Sequence, residues 1–316
     1  GCFVLQPTKY TRLNVSSIKE KNNIIKIIGE FSQNAFKDKD NKVYVLVAAV
    51  DMGQGAKTTL KKIVVQTLEV PSSQVVFDNP DTDFVPDSGP TVASRTIMIV
   101  GGLLARAALK LKETWIEDEE MEVIENYQQP EYIEWDEETL HGDAYPAYSW
   151  GVNIVEVEVS PVTYQTNVQG IWSVYDVGKA IDERLVLGQA DGGIAQGVAY
   201  GYLEVMKHEK GKIRQKTMTD YIIPTSVDMA KTETVIMENP YILGPYGAKG
   251  VGELTLVGGA PAVALAIEQA IKEDSSLSDE TIAVVFFVDQ GLERSQQMFA
   301  DLNRYAIRAS KSLGIL

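Results

Sequence analysis

One arrangement constrains this chain more than any other. An extended apolar run, a glycine-bearing turn and a helical pattern follow one another in both halves of the sequence. In the first half KVYVLVAAVDMGQG leads into AKTTLKKIVVQTLEV, which places Leu60, Ile63, Val64 and Leu68 on one helical face. Pro71 ends that helix, and QVVFD reads as the next strand. In the second half the alternating run GVNIVEVEVSPVTYQTNVQGIWSVYDVG precedes GQADGGIAQGVAYGYLEVM, read as a helix following glycine. TDYIIPTSVDM and ETVIME read as extended, TIAVVFFV as a short strand, and Met298, Leu302, Tyr305 and Ala306 as one face of a C-terminal helix. Hairpins also occur, as in NNIIKIIGEFSQ and KVYVLVAAV around the polar turn KDKDNK, which reads as solvated. Helices mixed with hairpins favour an α+β fold over a doubly wound parallel sheet.

The expected organisation is two α/β-layered subdomains, each a mixed sheet packed by helices. The first spans 1–140 and closes with an acidic connector at 113–140; the second spans 141–316. The apolar stretch TVASRTIMIVGGLLARAALKL, residues 91 to 111, contains Arg95 and Arg106, so it reads as a core helix and not a membrane span. The opening GCFVLQPTKYTRLNVS is apolar and strand-like from its first residues, which suggests a split subunit or a fragment. With no basic-then-apolar leader, the expected compartment is cytoplasmic.

Charge and residue counts narrow the chemistry. A formal net charge of −15 disfavours a nucleic-acid partner, whose phosphates need a basic face. One cysteine, Cys2, and two histidines, His141 and His208, leave no protein-only zinc or iron–sulfur site, so any redox metal has to arrive on a cofactor or in another chain. Both histidines lie in polar segments and read as solvated.

Four segments share one design: DMGQG at 51–55, SGPTVAS at 88–94, LGQADGG at 187–193 and GAKGVGE at 247–253. Each is read as lying before a helix, where backbone N–H groups and the positive helix end can seat anionic oxygens. Together they point to an extended, phosphate-bearing ligand, although any one glycine can equally serve a turn. Neither GxxxxGK[ST] nor a strand-following GxGxxG is present.

In chain order, DMGQG, PTVAS, VYDVGKAID with LGQADGGIAQG, DYIIPTSVD, and GAKGVGE with APAVALAI resemble the second half of the molybdenum-binding subunit of the xanthine dehydrogenase and aldehyde oxidase family. The resemblance covers essentially the whole chain. It implies that Met52, Gly53 and Gln54 pack against the molybdopterin, with Gln54 as the hydrogen-bonding side chain. It likewise implies cofactor contacts at Ala93, Ser94, Gln189 and Gly250, and a looser one at Gln196, which can equally be a buried structural amide. Glu253 corresponds to the family's catalytic base, with Gly247, Gly250 and Gly252 clearing space beside it. Its competing reading is a first-turn glutamate favoured by the helix dipole.

By the same resemblance the cofactor is molybdopterin, either bare or as its cytosine dinucleotide. Hydroxylation of a purine, N-heterocycle or aldehyde with water-derived oxygen follows. Electrons then leave through [2Fe–2S] clusters and FAD in partner chains, and the N-terminal half of the molybdenum subunit is a further partner. Three departures stand out: Asp51 in place of glutamate, and Leu254 and Thr255 in place of prolines. The alternative function is a noncatalytic cofactor-binding or assembly subunit of the same fold. Arg95 either meets a cofactor phosphate or pairs with an aspartate of residues 78–87.

Overall fold

The computed structural model describes residues 32–272, apart from 137, 144 and 164, together with 282–284. The strand expected before residue 32, Cys2 and the C-terminal helix carrying Met298 lie outside the described residues.

The first half is built on the hairpin β1 (Ser32–Lys37) and β2 (Val43–Leu46), antiparallel through Ala35↔Val45. Strand β2 alternates buried Val43 and Val45 with half-buried neighbours, the signature of a sheet covered on one face. The chain then forms α1 (Ala56–Leu68), whose buried residues include Leu60, Ile63, Val64 and Leu68, the face that the sequence spacing predicts. Burying each such side chain is worth about 1.5–3 kcal/mol, far more than helix propensity supplies. After α1 the short β3 (Val75–Val76) returns parallel to β2.

A π-helical turn at Thr96–Val100 leads into α2 (Gly101–Glu113). The helix read over 91–111 therefore begins five residues later, because Ala93 and Ser94 take left-handed backbone conformations, φ 56° and 52°. Strand β4 (Met121–Asn126) adds antiparallel to β1, giving the order β3-β2-β1-β4. This corrects the reading of 113–140 as mere connector. Met121 and Val123 pack against the core, while Glu125 takes Lys110 and Arg106 of α2 as ion-pair partners. The acidic composition hid a strand whose charges are paired.

KDKDNK also departs from its reading. Lys37 is fully buried, its Nζ donating to the Glu119 carbonyl at 2.6 Å and to Asn41 Oδ1 at 2.8 Å, 4.9 Å from the Trp115 ring centre.

A small ribbon, β5 (Trp135–Asp136) and β6 (His141–Gly142), precedes the second half. There the long strands β7 (Gly151–Val159) and β8 (Thr166–Asp176) pair antiparallel. Helix α3 (Glu183–Tyr202) follows, then the exposed ribbon β9 (His208–Glu209) and β10 (Lys212–Ile213). The segment TDYIIPTSVDM is turns and not a strand, with Asp228 accepting from the Thr225 amide at 2.7 Å. Strand β11 (Lys231–Met237) pairs parallel to β8. The one-turn α4 (Leu254–Val257), α5 (Gly259–Lys272) and β12 (Ile282–Val284) complete the sheet order β11-β8-β7-β12. Residues 254–272 are long and apolar enough to cross a bilayer by length and composition, yet α5 packs on α3 and β7.

The glycine run LGQADGG does not precede a helix: it lies inside α3, which starts at Glu183 with Asp182 as its cap. Its structural reason is contact. A Cβ on Gly193 would sit 2.0 Å from Thr255 Oγ1, and one on Gly197 would sit 2.4 Å from the Leu256 carbonyl. Small residues one turn apart thus let α4 approach the α3 backbone. This seat serves helix packing, so it is removed from the set of anion sites.

Candidate functional site

A cleft of about 380 Å³ opens between the two halves. The first half contributes two loops. One is DMGQG, entering α1; the other is SGPTVAS, entering the π turn before α2. The second half contributes the first turns of α3 and the segment 248–253.

Each loop is shaped mainly by its own bonds. The Asp51 carboxylate accepts from the amides of Gly53 (2.8 Å), Lys57 (2.8 Å) and Gly55 (3.3 Å). It therefore fills the anion seat at the start of α1 with a charge of the chain itself. Burial of Asp51 opposes its ionisation, but these N–H bonds outweigh that and hold its carboxyl below the usual range. Gln54 closes the same loop, Oε1 accepting from the Met52 amide at 2.6 Å and Nε2 donating to the Val50 carbonyl at 2.9 Å. One amide hydrogen and one lone pair of Gln54 remain for a ligand by the side chain's inventory.

In SGPTVAS the hydroxyls latch onto the strand leading out of β2: Ser88 Oγ accepts from the Ala48 amide at 2.6 Å and Thr91 Oγ1 from the Val50 amide at 3.0 Å. Arg95 folds back on the loop, donating to the carbonyls of Ser88 at 2.6 Å and Pro90 at 2.7 Å. Neither sequence reading of Arg95 anticipated carbonyl partners. Its burial pulls the guanidinium below its ordinary value, which the charge of Asp87 counters.

Glu253 and Ser94 meet at one wall of the cleft. Ser94 Oγ donates to Glu253 Oε2 at 2.9 Å and accepts from the Glu253 amide at 2.9 Å. Glu253 is the residue before α4, yet its side chain caps no helical amide, and a four-residue helix has little dipole to offer it. The first-turn alternative therefore does not describe its bonding. Consecutive left-handed conformations at Ala93 and Ser94 cost about 1–2 kcal/mol per residue for non-glycine side chains. The expectation that Gly247, Gly250 and Gly252 clear room for a cofactor is met by a different neighbour at Gly250. A Cβ there would lie 1.9 Å from the Ser94 carbonyl oxygen.

Behind this wall, Lys249 and Asp176 form a buried ion pair at 2.7 Å. Lys249 Nζ also donates to the Tyr148 carbonyl at 2.9 Å. Asp176 further accepts from Asn239 Nδ2 at 3.0 Å and the Gly178 amide at 2.9 Å. Such saturation is what allows two charges to remain buried. The pair fixes GAKGVGE against the end of β8, and Lys249 itself reaches the cleft. Sequence reasoning missed it, although both residues lie in the quoted motifs VYDVGKAID and GAKGVGE. It also missed Lys179, a cation on the cleft wall.

Of the residues singled out in the sequence, Met52, Gln54, Ala93, Ser94, Gln189, Gly250 and Glu253 all line this cleft. Met52 stands 74% exposed at its lip. Gly53 is exposed in the same loop, outside the lining, and Gln196 is exposed on α3, also outside it, so the buried-amide reading of Gln196 does not hold. His141 and His208 are exposed, as expected.

The chain belongs to the molybdopterin cofactor-binding domain family, whose model matches residues 35–126 and 113–230. Among its relatives is the carbon monoxide dehydrogenase large chain of Hydrogenophaga pseudoflava, 27% identical over 71% of this chain and 32% of the relative. Another is the xanthine dehydrogenase molybdenum-binding subunit of Escherichia coli O157:H7, 26% identical over 78% of this chain and 37% of the relative. The crystal structure of the aldehyde oxidoreductase of Desulfovibrio desulfuricans matches with a TM-score of 0.66 at 26% identity, over 75% of this chain and 28% of that one. The chain thus spans about a third of the length of the curated relatives it matches. A second family model, described as DNA-sulfur modification-associated, matches residues 264–316, of which the described residues 264–272 do not line the cleft.

The donor set can be tested against a molybdopterin. Among the described residues no group of three or more His, Cys, Asp and Glu is placed to hold a metal ion. A metal in this cleft has to bring its own ligands, the condition a pterin-carried molybdenum meets. The wall offers amides at Gln54 and Gln189, the Thr91 hydroxyl and the Lys179 cation. The cleft's size falls in the range of about 300–1,000 Å³ usual for small-molecule sites. The residues present fit the group.

Proposed function

We propose that this chain is the part of a molybdenum hydroxylase large subunit that carries the catalytic carboxylate and one side of the cofactor site. Its substrate class is a purine, an N-heterocycle or an aldehyde. The observation that carries the reading is the bond between Ser94 and Glu253, which joins the two halves at the wall of the cleft shared with Gln54, Gln189 and Gly250.

Gln54 and Gln189 would hold the cofactor through their amides, Ala93 through its backbone and Lys179 through its charge, while Gly250 seats the Ser94 loop beside it. When bound, the cofactor supplies the two-electron acceptor for hydroxylation, with oxygen drawn from water. Glu253 acts as general base: Oε2 is committed to Ser94, and Oε1 takes up the proton. The apolar part of the lining, with Val92, Ile97 and Val251, offers a surface for an apolar substrate ring beside that exposed carboxylate. Iron–sulfur and flavin groups, on partner chains or on the portion of the subunit that the relatives have in addition, would receive the electrons. The preceding half of the molybdenum subunit would close the cleft.

The test is purification of the full chain from its native host with its partners attached, followed by metal analysis and the Glu253→Gln variant. Stoichiometric molybdenum with copurifying iron, and a variant that keeps molybdenum but loses turnover, are the expected results. Partner chains without molybdenum would instead make this an assembly subunit.

A further inference from the structure

We infer that Ser94 is the positioning residue of Glu253: its hydroxyl holds the carboxylate in one orientation and leaves Oε1 as the oxygen open to a proton. This inference rests on the reading of Glu253 as a base and deepens it.

The bonding pattern fixes the hydroxyl proton. Ser94 Oγ accepts the Glu253 amide hydrogen, so its own single hydrogen points away from that amide, to Oε2. Oε2 must then act as an acceptor. A hydrogen on Oε2 would be set against the hydroxyl hydrogen, so the contact distinguishes the two carboxylate oxygens. Oε1 is left as the basic oxygen. The half-buried Ser94 thus does for Glu253 what a third group does for a catalytic base in other hydrolytic and redox sites, orienting it before substrate arrives.

Two independent features show that the contact is built and not incidental. The loop keeps Ser94 in a left-handed conformation, φ 52°, that serine rarely adopts, and Ala93 beside it does the same at φ 56°. Relaxing either residue would swing Oγ away from Glu253. On the facing segment, Gly250 leaves room for the Ser94 carbonyl where any Cβ would sit 1.9 Å away. Strain on one side and an absent side chain on the other converge on one hydrogen-bonded pair, 159 residues apart in sequence. Backbone strain of this kind tends to persist where surrounding structure enforces it for function.

The experiment uses the full chain with glutamate side-chain carboxyls labelled with ¹³C, the Glu253 resonance being assigned by its loss in Glu253→Gln. Ser94→Ala and Ser94→Gly both remove the hydroxyl, and the glycine variant also relieves the left-handed strain, so it guards against a folding defect. Both should move the Glu253 carboxyl resonance toward the position of solvent-exposed glutamates, and Ser94→Thr, which restores a hydroxyl, should return it. In the molybdenum-loaded complex, with benzaldehyde, hypoxanthine and nicotinate as probes, the same two variants should lower kcat about tenfold with KM unchanged. A Glu253 resonance that stays in place in both variants overturns the inference. So does a resonance that moves in Ser94→Ala but not in Ser94→Gly, since strain and not the hydroxyl would then be the cause. Failure of the underlying reading looks different: Glu253→Gln would retain turnover.

Discussion

Replacing Gly197 by alanine sets two effects of α3 against each other. Glycine inside a helix costs about 1 kcal/mol relative to alanine, so the substitution should stabilise an isolated α3 by that amount. In the folded chain the new Cβ would lie 2.4 Å from the Leu256 carbonyl oxygen, where ordinary contact begins at 3.4 Å. The obstacle is backbone, so α4 has to retreat by roughly an ångström from α3, and overpacking of this kind costs about 1–3 kcal/mol. The net expectation is a loss of up to about 2 kcal/mol. Gly188 and Gly192 supply the internal control: both lie in the same helix, are exposed, and have no atom within 4 Å of a built Cβ. Alanine there should gain up to about 1 kcal/mol. Urea unfolding followed by far-ultraviolet circular dichroism on the full chain reads both signs, each kcal/mol corresponding to a Tm change of about 2–4 °C for a unit of 150–250 residues. A Gly197→Ala protein as stable as Gly188→Ala would refute the packing account of the glycine run and return those positions to a ligand.

Lys249→Met leaves Asp176 buried without its cation and should cost about 3–5 kcal/mol, measured by urea unfolding; adding Asp176→Asn should recover part of that loss. The Asp182 carboxyl is held below its ordinary range first by its bond with Lys62 and then by the Leu185 amide, against the opposing pull of burial. Its folded value lies under its unfolded one, so this stabilisation is present above about pH 4 and is lost as pH falls through the folded value. Asp182→Ala should therefore lower the unfolding free energy by about 1 kcal/mol at pH 7, read by urea unfolding, and have little effect near pH 2. Glu253→Gln changes an exposed residue and should alter stability by under about 1 kcal/mol, as read by thermal unfolding, so any large loss of turnover cannot be blamed on folding.

The parts of the fold readable from sequence are those decided locally. Helix α1 was visible because Leu60, Ile63, Val64 and Leu68 repeat at helical spacing and a proline follows them. Strand β2 was visible from KVYVLVAAV, but its partner was read in NNIIKIIGEFSQ, which shares only Ser32 and Gln33 with β1. Strand β4 was not, because Glu122 and Glu125 look solvated until Lys110 and Arg106 of another element are placed beside Glu125. The site divides the same way. The motifs brought the right loops to attention, and seven of the residues named from them line one cleft. Composition alone could not say what each glycine or acid does there. Whether Gly193 serves a phosphate or a helix contact depends on Thr255, and whether Asp51 accompanies an anion seat or occupies it depends on three amides that converge only in the folded loop.

Those amides have a thermodynamic consequence. The DMGQG loop is fully knitted by Asp51 and Gln54 without any guest, so its conformational entropy is surrendered when the chain folds. A guest arriving at the cleft meets a finished surface and need not order it, and docking on this side becomes a rigid-body event. Its calorimetric signature should carry the small heat-capacity change of one buried contact area, without the large negative change that accompanies coupled folding. Neutralising Asp51 would shift that ordering from the folding step to the binding step, making the same loop a flexible participant and weakening capture without removing a single ligand contact.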